Sequence, residues 1–204
     1  GLAVIPRGRN AREPTLANGV SSHWLGQGFS GRFRPINRLD KDTSGLILIG
    51  KSQYAHQAVF GQMKKGLLRR TYLAVVEGGP PRESGCIDLP IAHLDPDHSA
   101  RRSVDEAGKP AVTYYTVLQR LNGGSVLSLT LATGRTHQIR VHLSHLGCPL
   151  YGDALYGRAS GFIKRQALHA SRLRLIQPRT GQWLEFETPL PDDIGFLLDK
   201  LARE

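Results

Sequence analysis

The sequence predicts a mixed α+β fold in which a sheet dominates and helices enter irregularly. Seven short segments carry strand character and three carry helical spacing or caps, and the two kinds do not alternate as a regular βαβ array would require. Size allows a real core. With 204 residues, 40% of them hydrophobic and 22% charged, the chain is expected to form one compact domain over residues 1–204.

The opening GLAVIPRGRN begins without Met and reads as the end of an element entered midway, so an upstream segment is expected to be missing. GLILIGK at 45–51, a short apolar run bounded by Gly, is expected as a buried strand. Ser52 then offers an N-cap to a helix over 53–66, where Ala55, Val59 and Met63 form one apolar stripe and Gly66 can end it. RTYLAVVEG at 70–78 resumes as a strand. Further strands are expected at 86–91, 111–118, 125–132, 167–176 and 183–187, several with β-branched residues or near period-two alternation. THQIRVHLSHLG at 136–147 suits a short helix with Thr136 as N-cap and Gly147 at its stop. Pro191 followed by Asp192 and Asp193 places acids in the first turn of a closing helix through Leu201, where they complement its dipole.

Charge narrows the function classes. Lys and Arg number 27 against 17 Asp and Glu, a net charge of +10. Between Ala107 and Leu184, Asp153 is the one acid among ten bases, and 43–76 is free of acids, which gather instead at 83–106 and 185–204. Folding can therefore collect the bases on one face, as an RNA-binding surface requires; a solvated basic surface without a partner reads equally well from charge alone. Cys86 and Cys148 stand apart with no CxxC pair, which argues against a zinc ribbon or a disulfide framework and fits a reducing cytosol. No run approaches the ~20 apolar residues that span a bilayer, so a soluble cytoplasmic protein without a membrane partner is expected.

RPINRLDKDTSG compresses Arg38, Asp40, Lys41, Asp42, Thr43 and Ser44 into seven positions ahead of the first predicted strand. Such density suggests a site, although an Asp before a strand is commonly a turn former that bonds its own backbone. LATGRTHQIRVHLSHLG joins a strand to a helix through a Gly-containing turn, so backbone N–H groups and Arg135 could meet a phosphate there. The glycine spacing and Lys-Ser or Lys-Thr pair of a P-loop are missing, which argues against nucleotide hydrolysis. His137, His142 and His145 lack standard zinc spacing, so no metal is expected. Tyr72 reads either as sheet packing or as a wall of a pocket.

Seven segments in order, over nearly the whole chain, resemble the RluA-type RNA pseudouridine synthase family: GLAVIP, INRLDKDTSGLILIGK, RRTYLAVVEG, GKPAVTYYTVL, LATGRTHQIRVHLSHLGCPLYGDALYG, LHASRLRLIQP and FETPLP. The resemblance implies a mixed, mostly antiparallel catalytic domain of the pseudouridine synthase type, with flanking helices and a central RNA-binding cleft. It implies that Asp40 is the essential carboxylate, Tyr72 the active-site tyrosine and Arg140 the arginine that pairs with the aspartate. Arg38 matches an arginine near the extruded base and Ile139 an apolar position against the uracil; Thr43, Arg135, His137 and Gln138 complete the implied substrate contacts. Three positions depart from the family pattern: Asn37 for His, Arg70 for Lys before the tyrosine, and Gln177 for His before Pro178. The family's first strand and the lysine and proline before its GL are also missing, so an incomplete N-terminal start and an absent accessory domain are expected.

The implied reaction breaks the C1′–N1 bond of uridine, turns the uracil and rejoins C1′ to C5, with Asp40 as base toward the sugar or as nucleophile at C1′. It is an isomerisation, and no cofactor is expected. The expected partner is ribosomal or transfer RNA with an accessible uridine, bound by a monomer without an obligate protein partner. Two rival readings remain open at this point: a non-catalytic RNA-binding protein on the same scaffold, and a hydrolase that uses Asp40 and Asp42 and releases free uracil.

Overall fold

In a computed structural model the described residues are 3–4, 14–94 and 101–203, so most of the opening motif lies outside them. Helix α1 (Leu16–Gly26) begins at Thr15, whose hydroxyl accepts from the Asn18 amide while the Asn18 side chain accepts from the Thr15 amide. This reciprocal cap starts a helix that spacing does not announce, since Asn18, Gly19, Ser21 and Ser22 are weak helix formers and Trp24 is its one buried residue.

The chain continues through β1 (Ser44–Gly45), α2 (Gln53–Lys64), β2 (Arg69–Glu77), β3 (Ser84–Asp88), β4 (Ile91–His93) and β5 (Arg102–Val104). It closes with β6 (Val112–Leu121), β7 (Gly124–Leu131), α3 (Gln138–His145), β8 (Leu168–Ile176), β9 (Trp183–Glu187) and α4 (Asp192–Arg203). One sheet runs β1-β8-β2-β7-β6-β3 with β9 also on β8, and β4 and β5 form a separate pair. Among these strands only β1 with β8 is parallel. The fold is thus the mixed, mostly antiparallel α+β sheet that was expected.

Strand β2 explains how two layers close on this sheet. Successive side chains of a strand point to opposite faces. Tyr72, Ala74 and Val76 therefore join one core with Leu127, Leu129, Ile139 and Leu143, which brings in α3. Val75 joins another with Ile194, Leu197 and Leu201 of α4, and Leu73 packs against it. A third cluster sets Val59 of α2 against Leu68 and Leu175. Among the described residues no helix is long and apolar enough to cross a membrane.

Three expectations need correction. The predicted strand at 45–51 joins the sheet only at Ser44–Gly45, because the next stretch of that edge of β8, from Arg172, belongs to β9; further on it makes an isolated antiparallel bridge from Ile49 to Pro35 instead. The predicted strand at 86–91 is interrupted before Pro90, which has no N–H to give a ladder, and resumes at Ile91 as β4. Helix α3 has His137, not Thr136, at its N-cap, in a left-handed conformation (φ 58°, ψ 19°) without a side-chain cap bond. Instead the Gln138 side chain accepts from the Arg135 amide and holds the preceding turn.

Candidate active site

The loop carrying Asp40 is tied down from several sides. Asn37 is buried, and its side chain accepts from the Leu48 amide at 2.7 Å, joining the start of the loop to the extended stretch after it. Asp42 takes a left-handed conformation at φ 71°, unusual for a residue with a Cβ. Its carbonyl accepts from Arg165 Nη1 at 2.9 Å. Gln166 Nε2 donates to the Lys41 carbonyl at 2.8 Å and to Thr43 Oγ1 at 3.0 Å. Ser44 Oγ and His169 Nδ1 share a hydrogen bond of 2.9 Å.

Asp193, in the first turn of α4, fixes Arg165 in turn through bonds of 2.7 and 2.8 Å from Nε and Nη2. The Arg165 hydrogen bonds hold the Asp193 carboxyl below its usual value, against burial, which raises it. A depressed carboxyl contributes stability above its unfolded pKa of ~3.9 and loses it as pH falls through the folded value. Asp193→Asn is therefore expected to lower Tm at neutral pH, with the gap to wild type closing as pH drops below ~4. Thermal melts across that range test this, and a gap that stays constant into acid would contradict it.

Asp40 lines a cleft of about 840 Å³ with Tyr72, Ile139, Arg38, Thr43, Arg135 and Gln138. Its side chain is 25% exposed and places Oδ2 3.7 Å from Arg140 Nη1. Arg140 is held from behind: its Nε and Nη2 donate to the two carboxylate oxygens of Asp153 at 2.7 and 2.8 Å. Asp153 is 1% exposed, and its Oδ1 also accepts from the amides of Leu155 and Tyr156. Burial opposes the charge on Arg140, but the bonds and charge of Asp153, together with the charge of Asp40, outweigh it and hold the pKa above the usual arginine value. Tyr156 lies against the guanidinium, 5.0 Å from its ring centre, and hydrogen-bonds His137 Nδ1 at 2.8 Å.

The three side chains expected to act together are thus brought to one place. Tyr72 is buried; burial first, and the Asp40 charge next among raising effects, push its phenol up despite Arg70, so it is neutral at pH 7. Ile139 packs in the same core cluster as Tyr72, with Leu39 against it, so an apolar wall adjoins the carboxylate. Arg38 and Arg135 are exposed on the cleft. His137 is buried behind it, its pKa lowered by desolvation against the charge of Asp40. Gln138 has its amide engaged within the protein, accepting from Thr133 and Arg135 and donating to Val112 and Thr113. Asp42 is not among the residues that line the cleft.

Asp153, Tyr156, Arg165 and Gln166 were missed as site residues. Asp153 did carry a signal, as the single acid in a long basic stretch, but a lone acid does not name its partner. Six cations line the cleft, Arg38, Lys41, Lys64, Arg70, Arg102 and Arg135, and Asp40 is the one acid among its described lining residues.

A family model described as RNA pseudouridylate synthase matches residues 18–145. The chain is 42% identical to an uncharacterized RNA pseudouridine synthase of Chloroflexus aurantiacus, over 98% of this chain and 64% of that protein. It is 40% identical to ribosomal large subunit pseudouridine synthase D of Nitrosomonas europaea, over 100% of this chain and 61% of that protein. The chain thus spans just under two thirds of the length of these relatives. Among solved structures, human RNA pseudouridylate synthase domain containing 1 superposes with a TM-score of 0.72 at 28% identity, covering 94% of this chain and 84% of that one. Human RNA pseudouridylate synthase domain containing 4, at 23% identity and a TM-score of 0.76 over 98% and 86% of the two chains, shares the fold. By its matching segments, its sheet and its relatives, the chain belongs to the RNA pseudouridylate synthase family, in its RluA-type branch.

Proposed function

We propose that this protein isomerises uridine to pseudouridine in RNA, with Asp40 as the group that acts on the ribose of the target nucleotide. The observation that carries this reading is the Asp40 carboxylate set beside the Tyr72–Ile139 wall and facing an arginine that Asp153 holds in place. A carboxylate at a cleft wall can attack or deprotonate a ribose, while a flat apolar wall accepts a base taken out of its stack.

The roles divide accordingly. Arg140 keeps Asp40 oriented. Asp40 Oδ1, which has no protein partner among the described residues, is directed at the sugar. The C1′–N1 bond breaks, the detached uracil turns against the Tyr72–Ile139 wall, and C1′ joins C5; the proton leaving C5 is balanced by one gained at N1. Tyr72 acts as a wall, since its neutral phenol is not a base. Arg38, Thr43 and Arg135 contact the RNA strand; Gln138, on the cleft lining, holds the turn that carries Arg135, and His137 supports Tyr156 beside Arg140.

The six cations that line the cleft suit a polyanion. The ribosomal relative's name supports large-subunit ribosomal RNA as the substrate class. The free thiols of Cys86 and Cys148 fit a reducing cytoplasm, where the protein is proposed to act as a monomer. The test is to incubate the purified protein with large-subunit ribosomal RNA transcripts and map pseudouridine by chemical probing. New pseudouridine is expected; its absence across ribosomal and transfer RNAs would remove the reading, and free uracil would favour a hydrolase.

A further inference from the structure

Arg70 has a position that the isomerisation chemistry does not use. The residue is 7% exposed and lies at the edge of the cleft, at the start of β2. Among the described residues it makes no ion pair. Its Nε has no hydrogen-bond partner, and its side-chain bond runs from Nη2 to the Thr133 carbonyl at 3.3 Å. A guanidinium has five N–H donors, so most of its capacity is unused. Asp40, the acid on the cleft lining, faces Arg140 instead.

Burying a cation without a counter-charge is costly, and such groups persist where a ligand supplies the opposite charge. The surroundings fit an anion. The guanidinium lies over the bare α-carbon of Gly134, where an added Cβ would sit 3.2 Å from Nη1, so the Thr133–Arg135 turn leaves it room. Arg70 and Tyr72 are two positions apart on β2 and share a face, roughly 7 Å apart along the strand. That separation is within the reach of one nucleotide whose base rests at Tyr72.

We propose that Arg70 is a phosphate-binding residue, taking a backbone phosphate of the RNA strand at or next to the nucleotide drawn into the cleft. The proposal rests on the reading of the cleft as an RNA site and adds a contact to it. A fork-shaped guanidinium grips two phosphate oxygens at once, which fixes the strand's position as well as attracting it. The unpaired charge of the free protein is then satisfied only in the complex.

The test measures binding of fluorescein-labelled oligouridylate over a series of KCl concentrations, alongside thermal melts, for wild type, Arg70→Met, Arg70→Lys and Asp40→Asn. Arg70→Met is expected to bind about tenfold more weakly at low salt and to flatten the slope of log affinity against log salt by ~0.7, the loss of one phosphate contact on a single strand. Its Tm should be equal to or above that of wild type, because an unpaired buried charge is replaced by an apolar stem of similar length. Arg70→Lys should restore most of the slope, and Asp40→Asn should keep all of it. An unchanged slope in Arg70→Met, or a variant that melts lower or fails to fold, overturns the phosphate assignment and makes Arg70 a prop for the Thr133 turn, leaving the RNA reading intact. Failure of the wild type itself to bind oligouridylate would overturn both.

Discussion

Asp40→Asn is expected to reduce pseudouridine formation by roughly 10⁴-fold or more while RNA binding stays within about threefold of wild type. The substitution keeps the size of the side chain and removes the charge and basicity that the proposed chemistry needs. It should not disturb the fold, because the loop is held by other groups: the Asp40 carbonyl accepts from the Thr43 amide, and Arg165 and Gln166 bind the carbonyls of Asp42 and Lys41. The 3.7 Å approach to Arg140 is a long ion pair at a partly exposed carboxylate, so its loss should cost little stability. Single-turnover assays on a mapped transcript, with melts and binding in parallel, check all three expectations. Turnover at the wild-type rate would remove Asp40 from the chemistry, and a large fall in Tm would recast it as a structural turn residue.

Asp153→Ala is expected to cost about 3–5 kcal/mol of stability, since it leaves the Arg140 guanidinium buried without its bidentate partner. Two further donors lose their acceptor: the amides of Leu155 and Tyr156 both bond Asp153 Oδ1. Activity should fall with it even below the melting transition, because Arg140 is then free to turn toward Asp40 or solvent. A double replacement separates the two effects. Arg140→Met with Asp153→Leu should recover most of the lost stability, as apolar pairs of similar volume commonly do, and none of the activity. Urea denaturation and turnover measured on the same samples decide the matter. A double variant as active as wild type would show that the arginine plays no part in the reaction.

Much of the site was legible in the sequence, for identifiable reasons. Asp40, Tyr72 and Arg140 lie in segments whose local chemistry and family pattern single them out, and the structure sets Asp40 and Tyr72 on one cleft with Arg140 3.7 Å from the Asp40 carboxylate. Helix α2 was readable because its signals are local: Ser52 caps the Ala55 amide, and Val59 is the buried residue of its stripe. Helix α1 was not, since its cap depends on a hydrogen bond between Thr15 and Asn18 that composition does not reveal. His137 was expected at the substrate. In the structure it is buried, bonded through Nδ1 to Tyr156, and is not among the residues that line the cleft.

By itself the sequence determined the alternation and spacing that choose strand or helix, the basic balance of the chain, and the order of motifs that names its family. These are properties of neighbouring residues, and spacing reports which face an element buries. Tertiary structure alone decided what each face is buried against. It gave Arg140 a second carboxylate, Asp153, thirteen positions along the chain, and clamped the Asp40 loop from residues more than a hundred positions away. It cut β1 short by assigning the rest of β8's edge to β9, and it shifted the β2–β8 register between Thr71 and Leu73, opposite Tyr72. Such outcomes depend on competition among distant segments for the same edge, carbonyl or charge, which no local pattern encodes.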